Sequence, residues 1–192
     1  SLTPKQQNML LNTSGLHKVN ISLHAFEAND LSVPFAQYLA DCFAFGKASA
    51  GKKLVVYRLW NQGGADTRNQ EILDCMAQYF PKPWAECRQG VRIGERVFLE
   101  HGDKFDWPDL QAREDDGPLF CYGLRDQLGI LWDGTVVPCC LDSEGKIPLG
   151  NIHETPLTDI LESERTKNMY EGFSRRCAVE ELCKRCGYAK RY

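Results

Sequence analysis

Cysteines are the residues of this sequence best suited to chemistry, and most of its nine lie between residues 121 and 186. One group consists of Cys121, Cys139 and Cys140, and the other of Cys177, Cys183 and Cys186. Cys183 and Cys186 form a C-x-x-C pair, a spacing that lets two thiolates bind one metal ion or cluster from a single tight turn. A small domain here would have little core, so a metal would supply stability that it otherwise lacks.

The environment of each cysteine separates candidate ligands from structural thiols. If one strand continues through Cys139 and Cys140, their side chains point to opposite faces, so only one readily reaches a shared centre. Cys42 and Cys75 fall on apolar helix faces and are predicted to be core residues, whereas Cys87 has no evident partner. Basic residues near the last cysteines are expected to favour thiolate over thiol: Arg175, Arg176, Lys184 and Arg185.

Other interpretations of the cysteines remain open at this point. Four thiolates at this kind of spacing also form structural zinc sites. A redox-active C-x-x-C is expected just after a strand at the start of a helix, a different context. Disulfides are disfavoured because no export signal is visible and the cysteine count is odd.

The first hundred residues alternate between helical and strand patterns. Thr3 and Pro4 can begin a helix that ends near Asn12 to Gly15. Apolar residues at helical spacing predict two more helices, after Pro34 and from Ile72 to Phe80. Strands are predicted at Lys18–Leu23, Lys53–Trp60 and Val97–His101.

This alternation predicts a parallel sheet, in which chemistry sits at the carboxyl ends of the strands. Ser22, His24, Arg58 and Asn61 occupy those ends. A polar segment ending in Gly-Pro places a domain boundary near residues 108–117, giving domains of 1–110 and 117–192. In the second domain, Leu128–Trp132 and Thr135–Cys139 flank Asp133-Gly134, a strong two-residue hairpin signal, and Thr155-Pro156 begins a helix.

The C-terminal pattern resembles a known family. Cys121, twelve residues, Gly134, four residues and Cys139 are similar to the opening of SPASM domains, found in peptide-modifying radical S-adenosylmethionine proteins. The segment GTVVPCCLDSEGKIPLGNI, followed by a helix and terminal cysteines, is similar too. The resemblance implies one auxiliary [4Fe-4S] cluster, bound by Cys121, Cys139, Cys183 and Cys186. Cys140 and Cys177 are the alternative ligands.

Residues 1–110 resemble, more loosely, the C-terminal part of a radical S-adenosylmethionine (β/α) barrel, where a helix leads into a strand reading ISL. The resemblance implies that Ser22, His24, Arg58 and Asn61 lie near the S-adenosylmethionine nucleoside. The alternative is that these side chains make only structural hydrogen bonds. The family's C-x3-C-x2-C loop is missing, and because the chain starts at Ser1 rather than Met, we expect a fragment that is inactive alone.

The expected fold is therefore α/β: a partial barrel followed by a small cysteine-rich α+β domain with a β-hairpin. The expected function is the C-terminal portion of a radical S-adenosylmethionine oxidoreductase acting on a peptide or protein. The alternative is a zinc-stabilised, non-catalytic binding module on an α/β scaffold.

Composition bears on partners and location. A net charge of −3 and a pI of about 5.8 give no basic surface for nucleic acid or anionic membrane. Without a secretion signal or spanning segment, the expected location is the cytoplasm. The edge of an incomplete barrel sheet would be a site for dimerisation or aggregation.

Overall fold

The protein forms two compact units, described here from a computed structural model that covers residues 3–28, 32–64, 67–88, 90–115 and 117–191. The N-terminal unit comprises residues 1–104 and the C-terminal unit residues 105–192. The division lies earlier in the chain than the predicted boundary near 108–117. Residues just after it belong to the C-terminal unit, where the Phe105 ring packs 5.0 Å from that of Tyr188.

Three helices of the N-terminal unit begin and end close to their predicted positions. They are α1 (Pro4–Asn12), α2 (Phe35–Ala48) and α3 (Asn69–Tyr79). Thr3 caps α1 as predicted, and a capping box with Gln6 strengthens this start because each side chain satisfies a backbone N–H of the other residue.

A five-stranded mixed sheet forms the centre of this unit. Its strands are β1 (Lys18–Ser22), β2 (Leu54–Gln62), β3 (Ala85–Cys87), β4 (Gly90–Gly94) and β5 (Val97–Asp103), in the spatial order β1-β2-β5-β4-β3. The β1, β2 and β5 strands are parallel, as the alternating pattern predicted. The β3 and β4 strands were not predicted, and they run antiparallel because a short hairpin returns the chain beside β5.

The two faces of this sheet differ in character. Val55, Tyr57 and Leu59 are buried in one apolar cluster with residues of α2 and α3. Val56 and Arg58 alternate with them, so they lie on the opposite face. Within the described residues the sheet does not close into a barrel, and its edge strands are β1 and β3. The partial barrel and pairing of two chains through an edge therefore stay predictions.

The C-terminal unit contains short strands, two helices and two 3-10 turns. The elements are β6 (Gly129–Ile130), β7 (Thr135–Val137), β8 (Gly150–Asn151), α4 (Leu157–Glu162), α5 (Glu164–Ser174) and 3-10 turns at Cys183–Arg185 and Gly187–Arg191. The antiparallel order is β6-β7-β8, so the predicted ribbon is present with a third strand added.

The hairpin between β6 and β7 has shorter strands and a longer loop than predicted. Leu131 and Thr135 are its last paired residues, since the Leu131 N–H donates to the Thr135 carbonyl at 2.8 Å. Trp132, Asp133 and Gly134 form a three-residue loop, in which Gly134 has φ +86°. A turn followed by a left-handed glycine is the usual form of such loops. The predicted two-residue turn is therefore wrong, although the glycine performs the expected role.

A helix that crosses a bilayer must be both long and predominantly apolar. None of the helices in the described part of the chain combines these two properties.

Replacing Gly134 by alanine should destabilise the C-terminal unit. The positive φ disfavours any Cβ, and the added atom would lie 2.5 Å from the His153 ring and 2.7 Å from the Asn151 amide oxygen. We expect a loss of about 1–2 kcal/mol in the free energy of unfolding, measured by urea denaturation with hydrogen exchange of residues 129–137. Gly15→Ala is the control, because its Cβ would meet no atom within 4 Å. Equal effects of the two changes would contradict this account of the hairpin.

Candidate metal centre

Four cysteines line one cavity inside the C-terminal unit, and they are the four predicted ligands: Cys121, Cys139, Cys183 and Cys186. The remaining lining is mostly apolar and includes Leu119, Phe120, Pro138, Leu141, Ile147, Phe173 and Leu182. The cavity holds about 30 Å³, room for roughly two water molecules. Thiols from distant parts of the chain thus share a small, apolar space.

Cys121 and Cys139 are positioned by the segments on either side of the hairpin. The Gly123 N–H donates to the Cys121 sulfur at 3.2 Å, which fixes the thiol against its own turn. Cys139 follows β7, and its carbonyl accepts the Asp142 N–H at 3.3 Å, closing a turn. A side chain at Gly123 would be tightly confined, because its Cβ would lie 3.2 Å from both the Cys121 sulfur and the Pro138 carbonyl oxygen.

The C-x-x-C pair lies in a 3-10 turn rather than at the start of an α-helix. The Cys186 N–H donates to the Cys183 carbonyl at 3.3 Å, so the turn brings both sulfurs to the same side. Leu182, just before the turn, is buried in the small core with Met169 and Phe173 of α5. This packing anchors the pair against the rest of the unit.

Cys140 and Cys177 lie outside the cavity, and both are exposed. Cys139 and Cys140 were expected to separate because a strand continued through them. In the structure β7 ends at Val137, and the separation arises in the turn that follows. Strand alternation is therefore not what separates the two residues, and Cys139 as the ligand of this pair stays a prediction.

Burial keeps Cys121, Cys139 and Cys183 neutral in the metal-free protein. It raises the pKa of Cys121, and it raises the pKa of Cys139 to about 11. Burial raises the pKa of Cys183 further, and the nearby Cys121, Cys139 and Cys186 add to the effect because a second negative charge there would be repelled. A redox C-x-x-C needs a lowered thiol pKa, so this environment is the opposite of the one that the thioredoxin-type hypothesis requires.

The four thiols share the cavity without forming a single-ion site. Within the described ranges, no three His, Cys, Asp or Glu side chains are grouped closely enough to hold a metal ion.

An ionic clasp joins the C-x-x-C turn to the segment that precedes Cys121. We define it as Lys184 and Arg185 with Glu114 and Glu181. Arg185 lies 2.6 Å from the Glu181 carboxylate and 3.6 Å from that of Glu114, and it donates to the Ala112 carbonyl at 3.1 Å. Lys184 lies 2.7 Å from Glu181 and 3.2 Å from Glu114.

The clasp changes the expected role of these basic residues. They were predicted to favour the thiolate form, but carboxylates balance the charges of Lys184 and Arg185. Arg175 is likewise paired with Glu171 at 2.9 Å. Sequence spacing could not reveal this pairing, because Glu114 is far from Arg185 along the chain.

Asp142 is a buried residue of the cavity wall that the sequence analysis missed. Its side chain is 3% exposed, and its two oxygens accept the N–H groups of Lys146 and Ile147 at 2.7 and 2.8 Å. These bonds fold the loop after Cys139. The only sequence signal was an Asp followed three residues later by Gly145, a common turn pattern.

Comparison with known families gives a match within the C-terminal unit. Residues 121–187 match the family model of SPASM, described as an iron-sulfur cluster-binding domain. We call this segment the SPASM domain, after the family model that it matches. The match begins at Cys121 and includes Cys139, Cys183 and Cys186, so it covers all four cysteines of the cavity.

The solved structures include a more distant similarity that spans both units. The crystal structure of selenomethionine-labelled BtrN in an open conformation aligns with 96% of this chain and 79% of its own, at 15% identity and a TM-score of 0.38. A similarity of this size does not establish a common fold. No match was found among the curated proteins.

Outside the SPASM domain, the remaining cysteines lie in the N-terminal unit. Cys42 and Cys75 pack against its main core, as predicted. Burial raises the pKa of Cys42 to about 11, as expected for an inert thiol. Cys87 is exposed in β3.

The predicted cofactor residues lie at the carboxyl ends of β1 and β2, but the structure does not bring all four together. Ser22 pairs in register with Arg58, so these two share a face. Asn61 is 6% exposed and exchanges amide hydrogen bonds of 2.9 and 3.0 Å with Asn69 at the start of α3. It therefore faces the helices, on the other side of the sheet from Arg58.

His24 and Arg58 make contacts that hold this edge of the sheet. The Trp60 N–H donates to His24 Nδ1 at 3.2 Å. Arg58 lies 3.3 Å from the Glu100 carboxylate, and its guanidinium stacks 4.2 Å from the centre of the Trp60 ring. These contacts agree with the alternative that His24 and Arg58 make only structural interactions. They do not test a role of either residue in cofactor binding.

Breaking the clasp should weaken metal retention by the SPASM domain. Arg185→Met removes the contacts that orient the turn, and we expect roughly tenfold faster release of bound metal to a chelator, as for other residues that orient ligands. Arg185→Lys should restore part of the retention. Arg175→Met is the matched control, since its side chain is 74% exposed in a surface pair, and equal rates for both methionine variants would contradict the proposed role.

Proposed function

We propose that Cys121, Cys139, Cys183 and Cys186 bind one auxiliary [4Fe-4S] cluster in a radical S-adenosylmethionine enzyme. The convergence of these four thiols in one apolar cavity of the SPASM domain carries the proposal. Thiolates are the usual ligands of iron-sulfur clusters, and four of them complete one [4Fe-4S] site. The donor set therefore fits the cluster.

The state of the thiols indicates what binding must involve. They must lose their protons, because the thiolate is the ligand. When bound, the cluster would supply one-electron transfer, because four thiolates leave no iron with an open position for a substrate.

The residues of this chain would set the surroundings of that chemistry. The apolar lining excludes water, which favours a low effective dielectric around the sulfurs. The Gly123 N–H donates a hydrogen bond to the Cys121 sulfur. Such a bond lowers the negative charge density on a sulfur that binds a cluster. Asp142 fixes the loop that presents Cys139, while the clasp fixes the turn that presents Cys183 and Cys186.

The N-terminal unit supplies the second part of the proposal. Parallel strands with helices against one face are consistent with part of a radical S-adenosylmethionine barrel, and Ser22 and Arg58 share the opposite face. We infer that these two residues contact S-adenosylmethionine, that His24 supports the β2 backbone beside them, and that Asn61 is structural. A peptide or protein is the proposed substrate class, by the family resemblance.

The cluster proposal predicts a specific loading result. Anaerobic reconstitution should give about four iron and four sulfide per chain with absorbance near 400 nm. Alanine at Cys121, Cys139, Cys183 or Cys186 should abolish stoichiometric loading, whereas Cys140→Ala and Cys177→Ala should retain it. The last two variants are matched controls because both thiols are exposed outside the cavity.

The same samples test the alternative functions. One tightly bound Zn²⁺ per chain without sulfide, from anaerobic material, would support the zinc-stabilised module and contradict the cluster. A chain that binds neither metal but reversibly forms a Cys183–Cys186 disulfide would support thiol redox chemistry. Loss of iron from Cys140→Ala instead of Cys139→Ala would show that the ligand set is wrong.

The radical part of the proposal needs a C-x3-C-x2-C loop, which the 192 residues lack. We expect the coding sequence upstream of Ser1 to encode it. A protein containing that region should cleave S-adenosylmethionine to 5′-deoxyadenosine when reduced, and Arg58→Met should weaken S-adenosylmethionine binding while auxiliary iron is unchanged. An upstream sequence without the loop would contradict this part and leave the cluster proposal intact.

A further inference from the structure

A second, larger cavity lies beside the thiol cavity in the C-terminal unit. We call it the outer groove; it holds about 580 Å³, within the usual range for ligand sites. Pro108, Leu141, Asp142 and Leu182 line both spaces. A ligand in the groove would therefore be separated from the cysteines by a single layer of side chains.

The charge in this groove is predominantly negative. Asp109, Asp142 and Glu144 contribute three carboxylates against one cation, Lys146. Lys146 already lies 3.2 Å from Glu144 in a pair whose side chains are 50% and 74% exposed, so a ligand cation can exchange with it at little cost. Asp142 is 3% exposed and both its oxygens accept backbone N–H groups, so it contributes negative charge to the wall rather than a free acceptor. One oxygen of Asp109 accepts the Gln111 N–H at 2.8 Å, which leaves the other oxygen for a ligand. A loaded cluster with four thiolates would add further negative charge behind the shared wall.

Apolar surface accompanies these charges. Trp107 is 56% exposed and Leu110 is 44% exposed, and both line the groove. An indole face beside carboxylates suits a cation carried on an apolar stem, since the ring attracts the charge while the stem covers apolar surface. Lysine and arginine side chains have this form.

We infer that the outer groove binds a lysine or arginine side chain of the peptide substrate next to the auxiliary cluster. This inference rests on the proposed function for the substrate class. The juxtaposition of three carboxylates, an exposed tryptophan and a wall shared with the cluster ligands carries it. The groove thus selects the substrate segment by charge and holds it close to the cysteines.

The test is a calorimetric titration of the full chain, anaerobic and cluster-loaded, with the capped peptide Ala-Ala-Lys-Ala-Ala. We expect it to bind at least about tenfold more tightly than the same peptide with glutamine in place of lysine, with affinity falling as salt rises. Asp109→Asn, Glu144→Gln and Trp107→Leu should each weaken binding severalfold. Glu154→Gln is the matched control, because it removes one exposed carboxylate outside the groove.

Each result has a defined meaning. Equal binding of the glutamine peptide, or equal effects of Glu144→Gln and Glu154→Gln, would overturn the inference. Binding of n-butylamine as tight as that of the lysine peptide would overturn the peptide part, because the flanking backbone would contribute nothing. Iron and sulfide assays on the same samples report separately on the proposed function: loaded protein that ignores the peptide contradicts the groove alone.

Discussion

Bringing sulfurs from two ends of one small unit into a shared apolar space is the constraint on which the C-terminal structure depends. Cys121 and Cys139 come from the hairpin region, whereas Cys183 and Cys186 come from the turn after α5. Loop closure between such distant segments costs conformational entropy. Packing in the small core around Met169 and Phe173 offsets part of this cost. The clasp and the backbone bond from Leu119 N–H to the Arg176 carbonyl, 2.9 Å long, hold the two segments together.

The protonation of these thiols links the fold to metal binding. A buried thiol is stable only while it is neutral, so the raised pKa of Cys139 stabilises the metal-free fold below the pKa of an unfolded cysteine. That stabilisation is lost as pH rises through about 11, the pKa in the folded state. A bound metal centre reverses this preference by stabilising the thiolates, and its binding free energy then becomes folding free energy. The same burial that makes the free thiols inert makes the loaded site dry.

Local patterns in the sequence predicted the elements better than the contacts between them. Helical spacing identified α2 and α3, because their apolar faces pack in one cluster with β2, whereas the capping residues Thr3 and Pro4 identified α1. Gly134 revealed the hairpin through its left-handed conformation. The C-x-x-C spacing and the glycine pattern also selected four cysteines that share a cavity. The β3 and β4 strands were missed because β3 has only three residues, all exposed, and β4 has five residues without a clear alternation of buried and exposed positions.

Long-range pairings account for most of what the sequence could not predict. Glu114 and Arg185 meet only because the end of the C-terminal unit folds back beside its first residues. Nothing in the residues next to either of them indicates the pair. Arg58 and Asn61 looked equivalent at the end of one strand, yet a spacing of three residues places them on opposite faces. The positions of Cys139 and Cys140 depend on where β7 ends. The end of a strand is predicted poorly from residue patterns.

The wall between the thiol cavity and the outer groove makes the two spaces mechanically dependent on each other. Leu141, Asp142 and Leu182 line both. Movement of that wall changes the shape of the groove, and the charge of the thiolates changes its potential. Linkage then requires reciprocity: if cluster loading strengthens cation binding in the groove, a bound cation strengthens cluster retention by the same factor. The loop that Asp142 holds would carry this coupling, since it positions Cys139 on one side and presents Glu144 and Lys146 on the other.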